Sequence, residues 1–210
     1  MTNVANDPNA IGYLSLGSLD DSVKAVKIDN VDATADNVKN GTYAVSRPFN
    51  IVTKDSVSEV AQDFIDFILS ADGQKIVEDN KYTASVDNAK AFKTKAPTGK
   101  LVIAGSSSVS PVMEALKEAY LAVNTNAEIE IQTSDSTTGV NSAKEGICDI
   151  GMASRELKDE EKSAGLTATV IAIDGIAVIV NDNNPIETMT KDQVKSVYVG
   201  ETTDWSQLNG

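Results

Sequence analysis

The pattern that most constrains this 210-residue chain is a junction that recurs three times in its second half. At each one an apolar run gives way to hydroxyl residues, and a helix-forming segment follows. Lys100-Leu101-Val102-Ile103-Ala104 reads as a buried strand running straight into Gly105-Ser106-Ser107-Ser108-Val109-Ser110-Pro111. The spacing then predicts a helix over 112–124, with Met113, Leu116 and Tyr120 on one face. The alternating strand 128–132 ends in Ser134-Asp135-Ser136-Thr137-Thr138-Gly139, which opens a helix at 140–144. The strand 149–154 ends in Ser154-Arg155, ahead of Leu157 and an acidic helix. Strands alternating with helices predict an α/β class with a substantially parallel sheet.

The first half offers short strands at 10–16 and 23–28 and an Asn40-Gly41-Thr42 turn. An extended segment over 43–53 follows, interrupted by Pro48. Val60, Phe64, Phe67 and Ile68 share one face of a helix over 58–69, and a shorter helix covers 72–77. A lysine-rich stretch, 87–100, containing Pro97 and Gly99, reads as a linker or exposed crossover between the halves. The apolar run 167–180 is broken by Asp174-Gly175, which predicts two strands separated by a crossing point. Thr190 caps a last helix with Gln193 at the capping-box position, and Gly200 follows it.

In an open parallel sheet, ligands bind outside the carboxyl ends of the strands, so the three hydroxyl clusters are expected to face one crevice. Helix N-termini bring unpaired N–H groups and partial positive charge, and Arg155 adds a planar fork of donors. A single Ser/Thr cluster is an ordinary N-cap. Three converging ones describe an anion cradle. Arg155 beside Glu156 has the alternative reading of a surface ion pair.

Composition narrows the chemistry. A formal charge of −13, with 31 acidic against 18 basic residues, disfavours nucleic acid and anionic membrane surfaces. It leaves room for a small anion held by local N–H groups. Histidine is absent, and Cys148 is the one cysteine, expected to be a small buried residue. No Ser-x-x-Lys pair or Gly-x-Ser-x-Gly turn is present, so a hydrolytic enzyme would rest on hydroxyl abundance alone. Asp159-Glu160-Glu161 reads as a solvated face. Asn181-Asp182-Asn183-Asn184 lacks the spacing and closing glutamate of a calcium loop. No cofactor or metal is implied.

The stretch from Lys100 to Pro111 closely resembles the start of the mature phosphate-binding protein of bacterial phosphate ABC importers. The resemblance continues through Ser134–Val140, Asp149–Leu157 and Asp174-Gly175-Ile176-Ala177-Val178-Ile179-Val180-Asn181. Asp7-Pro8-Asn9-Ala10-Ile11-Gly12-Tyr13, Ser46-Arg47-Pro48-Phe49 and Phe64-Ile65-Asp66-Phe67-Ile68-Leu69-Ser70 are similar to the family's C-terminal portion. The family's tail thus comes first and its head second, a circularly permuted order that an engineered chain or a natural tandem junction would each produce. The family's middle segment, with its Arg/Glu-Gly-Ser-Gly-Thr-Arg phosphate loop, has no counterpart between Met1 and Gly210.

The resemblance implies a periplasmic-binding-protein-like α/β fold, circularly permuted, with one complete lobe and one incomplete lobe. The first lobe spans 45–173, continuous through the 87–100 linker; the second combines 1–44 with 174–210. It implies a non-enzymatic solute-binding protein that holds inorganic phosphate through Ser107, Ser108, Ser136, Thr137, Ser154 and Arg155. Many relatives place an aspartate at the position of Ser154 to accept the proton of phosphate, and here Asp174 is the candidate for that role. The implied partner is the membrane permease of an ABC importer, with an extracellular or periplasmic, cell-surface location; no signal peptide is evident in this chain. A permuted or truncated scaffold binding no ligand is the alternative, and two chains could associate to cover the incomplete lobe.

Overall fold

A computed structural model of the chain describes residues 1–54 and 57–208. A short helix, α1 (Thr2–Asn6), precedes strand β1 (Ile11–Ser15), the two-residue strands β2 (Lys24–Ala25) and β3 (Lys27–Ile28), and helix α2 (Ala35–Lys39). Strand β4 (Ser46–Lys54), helices α3 (Glu59–Ile68) and α4 (Ala71–Asp79), and strand β5 (Thr83–Ala84) follow. Next come β6 (Gly99–Ser106), α5 (Ser110–Val123), β7 (Ala127–Ser134), α6 (Ser136–Glu145), β8 (Ile150–Ala153) and α7 (Asp159–Lys162). The long strand β9 (Leu166–Val180), β10 (Thr188–Met189) and α8 (Lys191–Tyr198) complete the series. The chain divides into two compact units, Arg47–Ile173 and Met1–Ser46 with Asp174–Gly210. Of the segments expected to form lobes, Asp55, Ser56, Asn209 and Gly210 lie outside the described residues.

In the Arg47–Ile173 unit, β6 lies between β7 and β8 and is parallel to both; β4 pairs antiparallel with β8. Strand alternation sends β6 side chains to two faces. Leu101 and Ile103 join Phe64, Ile68, Met113, Leu116 and Tyr120 in the larger core, on the side of α3 and α5. Ala104, with Val102 half-buried, packs with Val140, Ala143, Cys148 and Leu157 on the side of α6. Each fully buried Leu, Ile or Phe here contributes about 1.5–3 kcal/mol. Burial pushes the Cys148 thiol up to about 11, so it stays protonated and unreactive near neutral pH. Ser58 and Ser70 cap α3 and α4 by accepting the N–H groups of Ala61 and Gly73.

The lysine-rich segment has no regular structure between β5 and β6, yet it is tied down. Buried Asp63 accepts Thr94 Oγ1 at 2.7 Å, the Lys95 N–H at 3.1 Å and Tyr120 OH at 2.9 Å. Asp72 accepts the Phe92 N–H at 2.6 Å, and Asn124 Nδ2 donates to the Pro97 carbonyl. Phe92 stands edge-on to Phe67, with ring centroids 5.1 Å apart. Loop composition announced a crossover, but buried partners on α3 and α5 fix its course.

In the other unit, β1 and β2 both pair antiparallel with the C-terminal part of β9, and β10 runs parallel to β3. The expected single strand at 23–28 is two short ones, interrupted at fully buried Val26. The two strands expected within 167–180 are one continuous strand, so the crossing point at Asp174-Gly175 is corrected. Asp174 is fully buried and accepts Ser15 Oγ at 2.6 Å. A Cβ on Gly175 would come within 2.3 Å of Leu16 Cδ1. This Asp-Gly pair therefore serves packing and not a turn. Asn181 and Asn184 spend their amides on carbonyls of Val4, Ala5 and Pro8, anchoring the N-terminal helix.

Candidate oxyanion site at the strand ends

Parallel register sets the carboxyl ends of β8, β6 and β7 side by side, with Gly105 opposite Met152 and Ser106 opposite Ser134. Helix α6 begins against these ends because glycines let backbones touch. A Cβ on Gly139 would lie 2.6 Å from the Met152 carbonyl oxygen and 2.7 Å from Gly105 Cα. Gly105, at φ +136°, occupies backbone space that other residues rarely adopt, and its own Cβ would fall 2.4 Å from the same carbonyl. Gly151 is likewise closed in by the Gly139 carbonyl at 2.6 Å.

The first loop opens α5. The Ser107 N–H donates to the Ser134 carbonyl at 2.9 Å, and the Val109 N–H to that of Ser106 at 3.0 Å. Ser110 Oγ lies 3.2 Å from the Ser106 carbonyl oxygen, to which it donates, and 2.9 Å from Thr133 Oγ1. The N-cap residue is buried Val109, which offers no capping side chain, and Pro111 stands in the first turn. Ser107 is exposed and Ser108 half-buried. Among the described residues their hydroxyls donate to no protein acceptor.

The second loop opens α6 differently. Its N-cap is Asp135, whose Oδ1 accepts the N–H groups of Thr137 at 2.8 Å and Thr138 at 3.0 Å. Oδ2 accepts Thr138 Oγ1 at 2.6 Å. The Thr138 hydroxyl and backbone hold this carboxyl below the usual carboxylate range. Ser136 and Thr137, expected before the helix, form its first turn.

The third loop joins the second. Ser136 Oγ accepts the Ser154 N–H at 3.0 Å and lies 3.2 Å from Ser154 Oγ. The Arg155 carbonyl accepts Asn50 Nδ2 at 3.0 Å, so a buried side chain on β4 fixes the turn. Arg155 does not pair with the Glu156 side chain: it forms a two-pronged bridge to Glu161, both contacts at 2.8 Å. Its Nη1 also reaches the Glu156 carbonyl at 3.0 Å, and Nη2 lies 3.4 Å from Thr137 Oγ1. The surface-pair expectation and the solvated-face expectation for Glu161 are both corrected: Glu161 is buried, its side chain 9% exposed. Donation by Arg155, with the Lys158 N–H, holds its carboxyl down at about 2.

The structure thus brings Ser136, Thr137, Ser154 and Arg155 into one hydrogen-bonded group and sets Ser107 beside Ser134 at the neighbouring strand end. Asp174 belongs to the other unit, where Ser15 engages it. Sequence reasoning gave no role to Asp135, Asn50 or Glu161. Asp135 was legible as a cap, since an Asp stands directly before a Ser-Thr-Thr helix start. The ring nitrogens of histidine and clusters of metal-ligating side chains do not feature among the described residues.

A family model described as "PBP superfamily domain" matches residues 91–210. A "Phosphate-binding protein PstS 2" from Streptococcus agalactiae is 57% identical over 210 residues, covering 100% of this chain and 71% of the relative. The crystal structure of a phosphate-binding protein of a phosphate ABC transporter from Streptococcus pneumoniae TIGR4 superposes with a TM-score of 0.86. It is 43% identical and covers 99% of this chain and 80% of that one. A structure from Clostridium perfringens, described as a phosphate ABC transporter substrate-binding protein with bound phosphate, is 47% identical at a TM-score of 0.51. It covers 53% of this chain and 46% of that one. Matched along its whole length at 57% identity, the chain belongs to the PstS family of phosphate-binding proteins.

Proposed function

We propose that this chain is a phosphate-binding component of an ABC importer and holds inorganic phosphate at the carboxyl ends of β6, β7 and β8. In this reading the hydroxyls of Ser107, Ser108, Ser136, Thr137 and Ser154 donate to the anion. Arg155 supplies its remaining donor capacity and orients Thr137. The observation that carries the reading is the helix start of α5, uncapped and flanked by two hydroxyls that donate to no protein acceptor. A helix start of that kind is an anion site by its dipole and orphan N–H groups. The relatives' names supply the anion.

The unit Arg47–Ile173 would be the family's first lobe in continuous form, and Met1–Ser46 with Asp174–Gly210 part of the second. Permuted order is supported by how the matches extend. The streptococcal relative aligns with all of this chain, whereas the phosphate-bound clostridial structure covers about half of it. A chain keeps full alignment with relatives that share its segment order and loses part of it with those that do not. The cell surface and a membrane permease follow from the importer role.

A scaffold without ligand has one observation in its favour. Glu161 already bridges the Arg155 guanidinium, and the Asp135 carboxylate already occupies N–H groups at the start of α6. Isothermal titration separates the readings: saturable phosphate binding, weakened at least about tenfold in Ser136→Ala/Ser154→Ala, supports the importer role. Saturable sulfate binding without phosphate binding rejects it, and titration with neither anion, together with cooperative unfolding, supports the scaffold.

A further inference from the structure

We infer that Asn50 is a positioning residue of the oxyanion site: from inside the sheet it fixes the backbone that carries Ser154 and Arg155, and it touches no anion itself. This rests on the reading proposed above.

The sequence explains why a side chain is needed at this point. The antiparallel ladder between β4 and β8 runs from Val52 opposite Gly151 to Asn50 opposite Ala153. Continued by two residues, the same register would set Pro48 opposite Arg155, and proline has no N–H to donate. Asn50 supplies a donor from its side chain instead, with Nδ2 3.0 Å from the Arg155 carbonyl oxygen. Strand alternation places it for this. Phe49 and Ile51 belong to the larger core, whereas Asn50 shares the other face of β4 with Val52, which packs with Ala104, Val140 and Leu157. Beside that apolar cluster Asn50 is only 1% exposed. Burying an amide there costs free energy unless it is hydrogen-bonded, and the ladder itself asks for no side-chain amide.

The contact closes a bracket around two proposed ligands. On one side the Ser154 N–H donates to Ser136 Oγ at 3.0 Å; on the other the Arg155 carbonyl accepts Asn50. Within that span Ser154 Oγ lies 3.2 Å from Ser136 Oγ, and Arg155 Nη2 lies 3.4 Å from Thr137 Oγ1. Glu161 fixes the guanidinium and the Lys158 N–H, so it leaves the Arg155 carbonyl to Asn50. Groups aimed at one small anion must hold their geometry within about 0.5 Å. Freeing the carbonyl loosens the hydroxyl and the guanidinium without removing either.

The test uses the full 210-residue chain with Asn50→Leu, which keeps the volume and removes the donor, and with Val52→Ala. Val52 is fully buried on the same face of β4, and its side chain has no donor to give the third loop. Asn50→Ser, whose hydroxyl is too short to replace the amide, stands in for Asn50→Leu if that variant does not unfold cooperatively. Urea unfolding ranks the stabilities, isothermal titration with inorganic phosphate reads affinity, and amide hydrogen exchange reads the Ser154 N–H. The expected affinity is lower on the order of tenfold in the Asn50 variant. In Val52→Ala it stays within about twofold of the parent's, although that variant also loses stability. Exchange at Ser154 is faster in the Asn50 variant alone. Parent-like affinity in the Asn50 variant overturns the inference and leaves the oxyanion reading intact. An equal loss of affinity in Val52→Ala overturns it too, since any weakening of the sheet would then act like the lost donor. So does unaccelerated exchange at Ser154, whatever the affinity. Absence of phosphate binding by the parent overturns the oxyanion reading, and this inference with it.

Discussion

Helices α5 and α6 begin at neighbouring strand ends of one sheet, after equally serine-rich loops, and they treat their first turns in opposite ways. At α5 the cap position is Val109, buried in the larger core, and no side chain closes the helix start. At α6 it is Asp135, whose carboxylate takes two N–H groups and a hydroxyl. Hydroxyl content does not distinguish an open helix start from a filled one. The single residue at the cap position does, because it decides whether the orphan N–H groups are already spent. Unspent backbone donors in this pair are therefore concentrated at α5, while α6 offers hydroxyls.

The most severe way to break the comparison is to unseat α6. Gly139→Ala places a methyl 2.6 Å from the Met152 carbonyl oxygen and 2.7 Å from Gly105 Cα, both backbone atoms that cannot rotate aside. We expect a loss of roughly 3 kcal/mol, read as a lower urea midpoint. A midpoint within experimental scatter of the parent's would show that α6 is not held by this close approach.

The Arg155–Glu161 bridge ranks next. Glu161 is held at about 2 against an ordinary 4.5, so its carboxylate stabilises the fold fully above about pH 4.5. That contribution is lost as pH falls from there toward about 2, because the unfolded chain then binds the proton first. Solvent at the 29% exposed Arg155 side chain moderates the effect to about 1–2 kcal/mol. Glu161→Gln should lower stability by that amount at pH 7 and flatten its fall between pH 4.5 and 2. Chemical denaturation across this range checks both parts, and an unaltered acid slope would rule the bridge out as its source. The third loop would then owe its shape to Asn50 and to the contacts between Ser136 and Ser154.

Much of the fold was legible because periodicity and caps survive in tertiary context. Helices α3, α5 and α8, the strand–hydroxyl–helix junctions and the Thr190/Gln193 capping box all follow from local residue pattern. What escaped depended on partners distant in sequence. Asp174-Gly175 looks like a turn until Ser15 and Leu16 are brought against it. Glu161 looks solvated until Arg155 reaches it, six residues back around a turn. The crossover segment looks loose until Asp63, on α3, takes two hydrogen bonds from its end. At the candidate site, the hydroxyls were visible as a set, but their division into free and spent groups was not, since it depends on which carboxylate faces which N–H.

The finest test of the comparison pairs two alanine substitutions. Asp135→Ala removes the cap of α6 and should cost about 1 kcal/mol, while Asp135→Asn should cost almost nothing. Ser107→Ala removes a hydroxyl that donates to no protein group, so stability should change by less than about 0.5 kcal/mol. The ordering reverses for phosphate titration. Ser107→Ala should weaken binding by the value of a charge-assisted hydrogen bond, about 1.5–3 kcal/mol, whereas loss of the Asp135 charge should not weaken it. Equal stability costs at the two sites would mean that Ser107 also serves the fold. The open helix start of α5 would then be filled by protein, as that of α6 is, and the contrast between the two would vanish.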